Sequence, residues 1–134
     1  MEKNKISWSD MLGWENEQIE DIKVAAYSYI RQGKYEIALS FFRALIILDD
    51  EDIYSKQTLG ALYLQLGNPA KALVFLDEAL KYDSLHAPTQ LNRAKALIES
   101  GNISEGLKIV NSLKTHVNDY IANSAKALLM AYSK

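Results

Sequence analysis

Three glycines, Gly33, Gly67 and Gly101, recur every 34 residues, and this period constrains the fold of the 134-residue chain more than any other feature. The same step aligns Ala26, Gly60 and Ala94, then Tyr29, Tyr63 and Leu97, then Ile30, Leu64 and Ile98. Beyond the glycines it aligns Ala38, Ala72 and Gly106, then Leu39, Leu73 and Leu107, then Phe42, Leu76 and Val110. A register kept by so many columns marks an internal repeat, whose units bury their apolar faces by stacking on one another. The small residues let the two helices of a hairpin approach closely, and the tyrosines and Phe42 fill the gaps beside those contacts. Each repeated glycine falls where a positive φ ends the first helix of a hairpin at little cost.

This reading predicts an all-α solenoid of three helical hairpins, over 19–52, 53–86 and 87–120. It adds a capping helix over 121–134 and an N-terminal extension over 1–18 that carries a short helix. Turn signals separate the repeats: Asp49-Asp50-Glu51-Asp52, then Asp83-Ser84 with Pro88 close behind. Asp and Ser at these places suit the positive end of the following helix and its unsatisfied N–H groups. From Asn118 to Tyr132, the spacing of Ile121, Ala125, Leu128, Leu129 and Tyr132 predicts the helix that covers the end of the stack. In the extension, Trp8, Met11 and Leu12 share one face of a short helix that Gly13 stops. Trp8 and Trp14 either pack over the open face of the first repeat, form a dimer contact, or make a lip of a binding groove.

Composition narrows the function. A formal net charge of −2, with fifteen basic residues scattered among seventeen acidic ones, leaves no cationic patch for nucleic acid. There is no cysteine, so disulfides and thiolate metal sites are excluded. No stretch approaches eighteen uncharged apolar residues and Met1 to Asp10 has no apolar signal core, so a cytoplasmic protein without membrane insertion is expected. His86 and His116 have no partner at metal-ligand spacing. The glycines are too far apart to cradle a phosphate, and no Gly-x-Ser-x-Gly nucleophile turn occurs. The run Asp49–Asp52 lacks the alternating ligands and central glycine of a calcium loop. These features predict a binding protein without cofactor, not an enzyme.

Leu59-Gly60-x-x-Tyr63, then Gly67, Ala72, Leu76 and Ala79, resembles the tetratricopeptide repeat, whose period is 34 residues. In that family the first helix of each hairpin lines a concave groove. The resemblance implies a partner site of Lys23, Tyr27, Ile30 and Arg31 in repeat one and Tyr54, Gln57, Thr58, Ala61 and Gln65 in repeat two. Repeat three adds Leu91, Asn92, Lys95 and Glu99, and the last helix adds Lys126 and Leu129. Tyrosine, aliphatic, amide and lysine side chains together suit an extended peptide. The subclass that grips heat-shock chaperone tails is a poor match. Lys23 fits its first clamp lysine, but Tyr27 replaces its asparagine, Thr58 and Pro88 replace two further clamp residues, and Asn92 replaces an arginine.

A closer resemblance is to the class II chaperones of bacterial type III secretion. It rests on Gly33-Lys-Tyr-Glu-Ile-Ala-Leu-x-Phe-Phe-Arg-Ala-Leu, on Leu59-Gly-Ala-Leu-Tyr-Leu-Gln-Leu-Gly67, and on Asn92-Arg-Ala-Lys-Ala-Leu with Gly101 and Glu105-Gly106. Layout agrees over nearly the full chain. The resemblance implies a cytosolic chaperone that holds an extended segment of a secreted, translocator-like substrate in its groove before export. It also implies a possible homodimer through the N-terminal segment. Alternatives are a chaperone of needle or export-gate components of the same apparatus, or a general protein–protein scaffold.

Overall fold

The structure, a computed structural model, describes residues 16–132. They form seven helices: α1 (Asn16–Arg31), α2 (Tyr35–Leu48), α3 (Ile53–Gln65), α4 (Pro69–Tyr82), α5 (Ala87–Glu99), α6 (Ile103–Leu113) and α7 (Asp119–Tyr132). The fold is the all-α hairpin solenoid that the 34-residue period predicts. The predicted N-terminal helix with Trp8 and Trp14 lies outside the described residues.

The three repeated glycines close the hairpins in one way. Gly33, Gly67 and Gly101 have φ of 76°, 81° and 94°. In the first turn the Gly33 N–H donates to the Ile30 carbonyl at 2.9 Å and the Lys34 N–H to the Tyr29 carbonyl at 2.9 Å. The second and third turns repeat the pair, Asn68 donating to Tyr63 and Asn102 to Leu97, each at 2.8 Å. This crossed pairing satisfies carbonyls that the helix end would otherwise orphan, and it requires a left-handed residue.

The columns of small residues are the contact lines. Ala26, Ala38, Ala72 and Ala94 are fully buried, and Gly60 and Gly106 are buried with them. Phe42, Leu76 and Val110, one per hairpin, are fully buried opposite. Beside them Tyr29 stacks on Phe41, with centroids 5.5 Å apart, and Tyr63 on Phe75, 5.7 Å apart, at equivalent places. The third hairpin has Leu97 and Ile109 there, aliphatic side chains in the same slots. Buried side chains form two clusters, one under repeats one and two and one under repeat three and α7. Helix α5 joins them, giving Ala96 to the first and Ala87, Leu91 and Ala94 to the second.

The inter-repeat turns depart in part from the sequence expectation. Asp52 does stand at the N-cap of α3, with its carboxylate held chiefly by the Ser55 hydroxyl at 2.7 Å and by Lys23. Asp83 closes α4, and His86, not Ser84, precedes α5. The side-chain caps on backbone N–H groups come from asparagines: Asn68 accepts from Lys71 and Asn118 from Ile121, both at 3.1 Å.

Neighbouring helices pack in sequence order, and in addition α3 touches α5 and α5 touches α7. The second helices of the hairpins, α2, α4 and α6, do not touch one another. From α3 to α7 the first helices are drawn together while the second helices are splayed apart, which makes a concave side lined by α1, α3, α5 and α7.

Candidate functional site

Along the concave side the groove is widest at its first step. Helices α1 and α3 stay more than 8 Å apart from Cα to Cα, whereas α3 and α5 come closer. The opening is a depression of about 450 Å³, lined by Glu20, Lys23, Val24, Tyr27 and Arg31 of α1 and by Tyr54 of α3. Helical spacing explains this set: residues three and four apart fall on one face, and 20, 23, 24, 27 and 31 trace that face. Three of its apolar side chains remain open to solvent, Val24 at 66%, Tyr27 at 47% and Tyr54 at 43%.

Lys23 forms the floor. Its Nζ lies 2.8 Å from Asp52 and 3.3 Å from Glu20, and 6.0 Å from the centre of the Tyr54 ring. Burial works against the lysine charge, but the hydrogen bond and charge of Asp52, and then of Glu20, outweigh it and raise its pKa. Burial likewise opposes ionisation of Asp52, yet hydrogen bonds from Lys23 and Ser55 and the Lys23 charge hold its pKa below the ordinary aspartate value. The pair ties α1 to the turn before α3, so Lys23 serves the wall of the groove with its charge already answered. Arg31 lies over the Tyr27 ring at 5.2 Å and makes no ion pair among the described residues.

The structure thus brings together four of the predicted partner residues, Lys23, Tyr27, Arg31 and Tyr54. Gln57, Thr58 and Ala61 continue the face along α3, half-buried, with Gln65 exposed at its end. Asn92 and Lys95 continue it on α5 and Lys126 on α7. Two predicted side chains turn towards the core, one wholly and one in part. Leu91 is 2% exposed and belongs to the core with Val110, Leu113 and Ile121, because it faces α6 and α7. Ile30 packs against the core of the first hairpin, as its place in the column of Leu64 and Ile98 requires.

Three contributors escape the sequence reading: Glu20, Val24 and Asp52. Two of them carried a usable signal. Glu20 lies 34 residues before Tyr54 and Val24 34 before Thr58, so the repeat register maps both onto the face. Asp52 carried none, since its role depends on the turn folding back towards α1.

A tetratricopeptide-repeat profile matches residues 63–129. No curated protein sequence matches the chain. Among solved structures, the type III secretion translocator chaperone SycD of Yersinia enterocolitica superposes with a TM-score of 0.78 at 20% identity, covering 96% of this chain and 99% of that one. PcrH in complex with the chaperone-binding region of PopB gives 0.76 at 21% identity, covering 87% and 98%. A type III secretion complex from Aeromonas hydrophila gives 0.80 at 19% identity, covering 94% and 87%. At these identities the likeness establishes the fold. With half of its length matched by that profile and its hairpins closed and packed as described, the chain belongs to the tetratricopeptide-repeat family.

Proposed function

We infer that this chain is a chaperone of a type III secretion system, holding an extended apolar segment of a secreted, translocator-like protein in its groove before export. The observation that carries the reading is the depression between α1 and α3, where Val24, Tyr27 and Tyr54 stay exposed on the concave side. Three large apolar side chains around one opening are a surface suited to cover another chain's apolar side chains. Support also comes from the near full-length fold likeness to SycD and to PcrH, the latter solved with the chaperone-binding region of PopB. The mechanism is masking by mass action. The ratio of covered to uncovered client equals free chaperone over its Kd, with no nucleotide and no chemical step. This work is done in the cytoplasm, and self-association through the N-terminal segment is part of the same reading.

Co-expression tests it. A translocator-like client is expected to be insoluble alone, soluble with the wild-type chain, and insoluble again with the Tyr27→Ala, Tyr54→Ala variant. A client kept soluble equally by both forms refutes the groove as the holding site.

A further inference from the structure

The groove face is not uniform along its length. Its two central rows run Val24, Thr58, Asn92, Lys126 and Tyr27, Ala61, Lys95, Leu129 across α1, α3, α5 and α7. They begin apolar at the open depression, pass small and neutral side chains on α3, and reach two lysines on α5 and α7. Of the other cations on or beside this face, Lys23 is held by Asp52 and Glu20, Arg31 lies over the Tyr27 ring at 5.2 Å, Lys56 pairs with Glu78 at 3.3 Å, and Arg93 with Asp77 at 2.6 Å. Lys95 and Lys126 make no ion pair, hydrogen bond or ring contact among the described residues. These two ammonium groups point to a ligand charge, on a chain whose own net charge is −2.

We propose that the groove selects an extended polypeptide segment carrying an aromatic or aliphatic anchor for the α1–α3 depression and a carboxylate for Lys95 and Lys126. This rests on the groove reading given above and adds the chemistry of the partner. The geometry sets the spacing. Packed helix axes lie about 8–10 Å apart and the open α1–α3 step is no shorter than the upper value, so α5 and α7 stand two and three steps, about 18–30 Å, from α1. An extended chain advances about 3.3 Å per residue, which places the carboxylate about five to nine residues from the anchor. The anchor supplies the buried apolar contact, and the carboxylate fixes which way round and in which register the segment lies.

The probes are two synthetic peptides, each with one leucine anchor in a Ser/Thr background and, about seven residues away, either Asp or Asn. Each is titrated into the ¹⁵N-labelled chain at low and at high salt, with amide shifts followed residue by residue. The Asp peptide is expected to bind about two- to fivefold tighter than the Asn peptide at low salt, a margin that shrinks in high salt. Lys95→Gln with Lys126→Gln should abolish the margin, bringing the two peptides to the same affinity. Equal affinity of the two peptides, with shifts confined to the groove, overturns this proposal and leaves the groove reading intact. Shifts outside the groove, or none, overturn both. Groove shifts that depend on protein concentration without peptide mean that a second copy fills the groove, which also overturns the proposal.

Discussion

Replacing Gly60 by alanine sets two known effects against each other, and the structure decides the sign. Gly60 lies inside α3, where alanine is favoured over glycine by about 1 kcal/mol in helix propensity. A Cβ added there would stand 2.6 Å from Leu76 Cγ and 3.4 Å from the Leu76 backbone nitrogen. Carbon atoms rest about 3.5–4.0 Å apart, so about 1 Å of room must be found. Leu76 cannot provide it by swinging outward, because it is fully buried in the core under repeats one and two. Overpacking of this kind costs about 1–3 kcal/mol and adds to a lost van der Waals fit along the whole α3–α4 contact. The clash offsets or outweighs the propensity gain, and a net loss of up to about 2 kcal/mol is expected. For a chain of this size that is a fall in Tm of up to about 7 °C, read by far-ultraviolet circular dichroism and checked by urea titration.

The double variant isolates the cause. Leu76→Ala alone leaves a cavity and costs about 3–5 kcal/mol. In that background the Gly60→Ala methyl enters vacated space, so its effect should turn neutral or stabilising. A coupling of at least about 1 kcal/mol follows between the two sites. If Gly60→Ala alone raises Tm, or if its effect is the same with and without Leu76, the close approach of α3 and α4 is not what the glycine serves.

Tyr27→Ala should weaken client binding about tenfold with Tm nearly unchanged, since the Tyr27 ring is half-exposed beneath Arg31; titration calorimetry and melting check both. Tyr54→Ala should weaken binding likewise but also cost about 0.5–1.5 kcal/mol, because its ring meets Phe42 edge-on at 6.0 Å. Asp52→Asn removes the tie between α1 and the α3 turn, and its cost should depend on pH. The depressed Asp52 pKa gives stability that is present above the ordinary aspartate value and lost as pH falls through the lower folded value. The raised Lys23 pKa gives stability present below the ordinary lysine value and lost as pH rises through the higher folded one. The Tm gap between wild type and Asp52→Asn should therefore be widest from about pH 5 to 10 and close at both extremes; a gap independent of pH refutes the pairing. Gly67→Ala should cost about 1–2 kcal/mol through its φ of 81° alone, since a Cβ there meets nothing within 4 Å; Gly67→Asn should cost less.

The fold was legible because a stacked repeat writes its packing into sequence three times. Ala26, Gly60 and Ala94 are each too small to mean much singly, but a column of small residues opposite Phe42, Leu76 and Val110 has only one physical use. Helix ends were legible for the same reason, each glycine being backed by two others in the same left-handed turn. The inter-repeat turns were less so. Asp52 and Asp83 read alike as caps, yet one stands before the next helix and binds Lys23 across space while the other closes the preceding helix. Which of these an aspartate does depends on what lies opposite it, and that is set by the solenoid's curvature and not by neighbours in sequence.

The site divides along the same line, and the division says where function is written. Columns whose size class is kept through the repeats, such as Ala38, Ala72 and Gly106, are fixed by helix contact and carry no partner information. Leu91 is legible only in part: its column, with Lys23 and Gln57, changes chemistry like a groove column, while its own side chain is drawn inward by α6 and α7. Columns that change character and stay at least partly open, such as Tyr27, Ala61 and Lys95 or Val24, Thr58 and Asn92, are released from packing. Their differences are free to encode a partner's sequence. Substitution in the kept columns should therefore move Tm more than binding, and substitution in the changing, open columns should move binding more than Tm. A scan of both sets by melting and titration tests this, and the argument fails if the two sets of variants cannot be told apart.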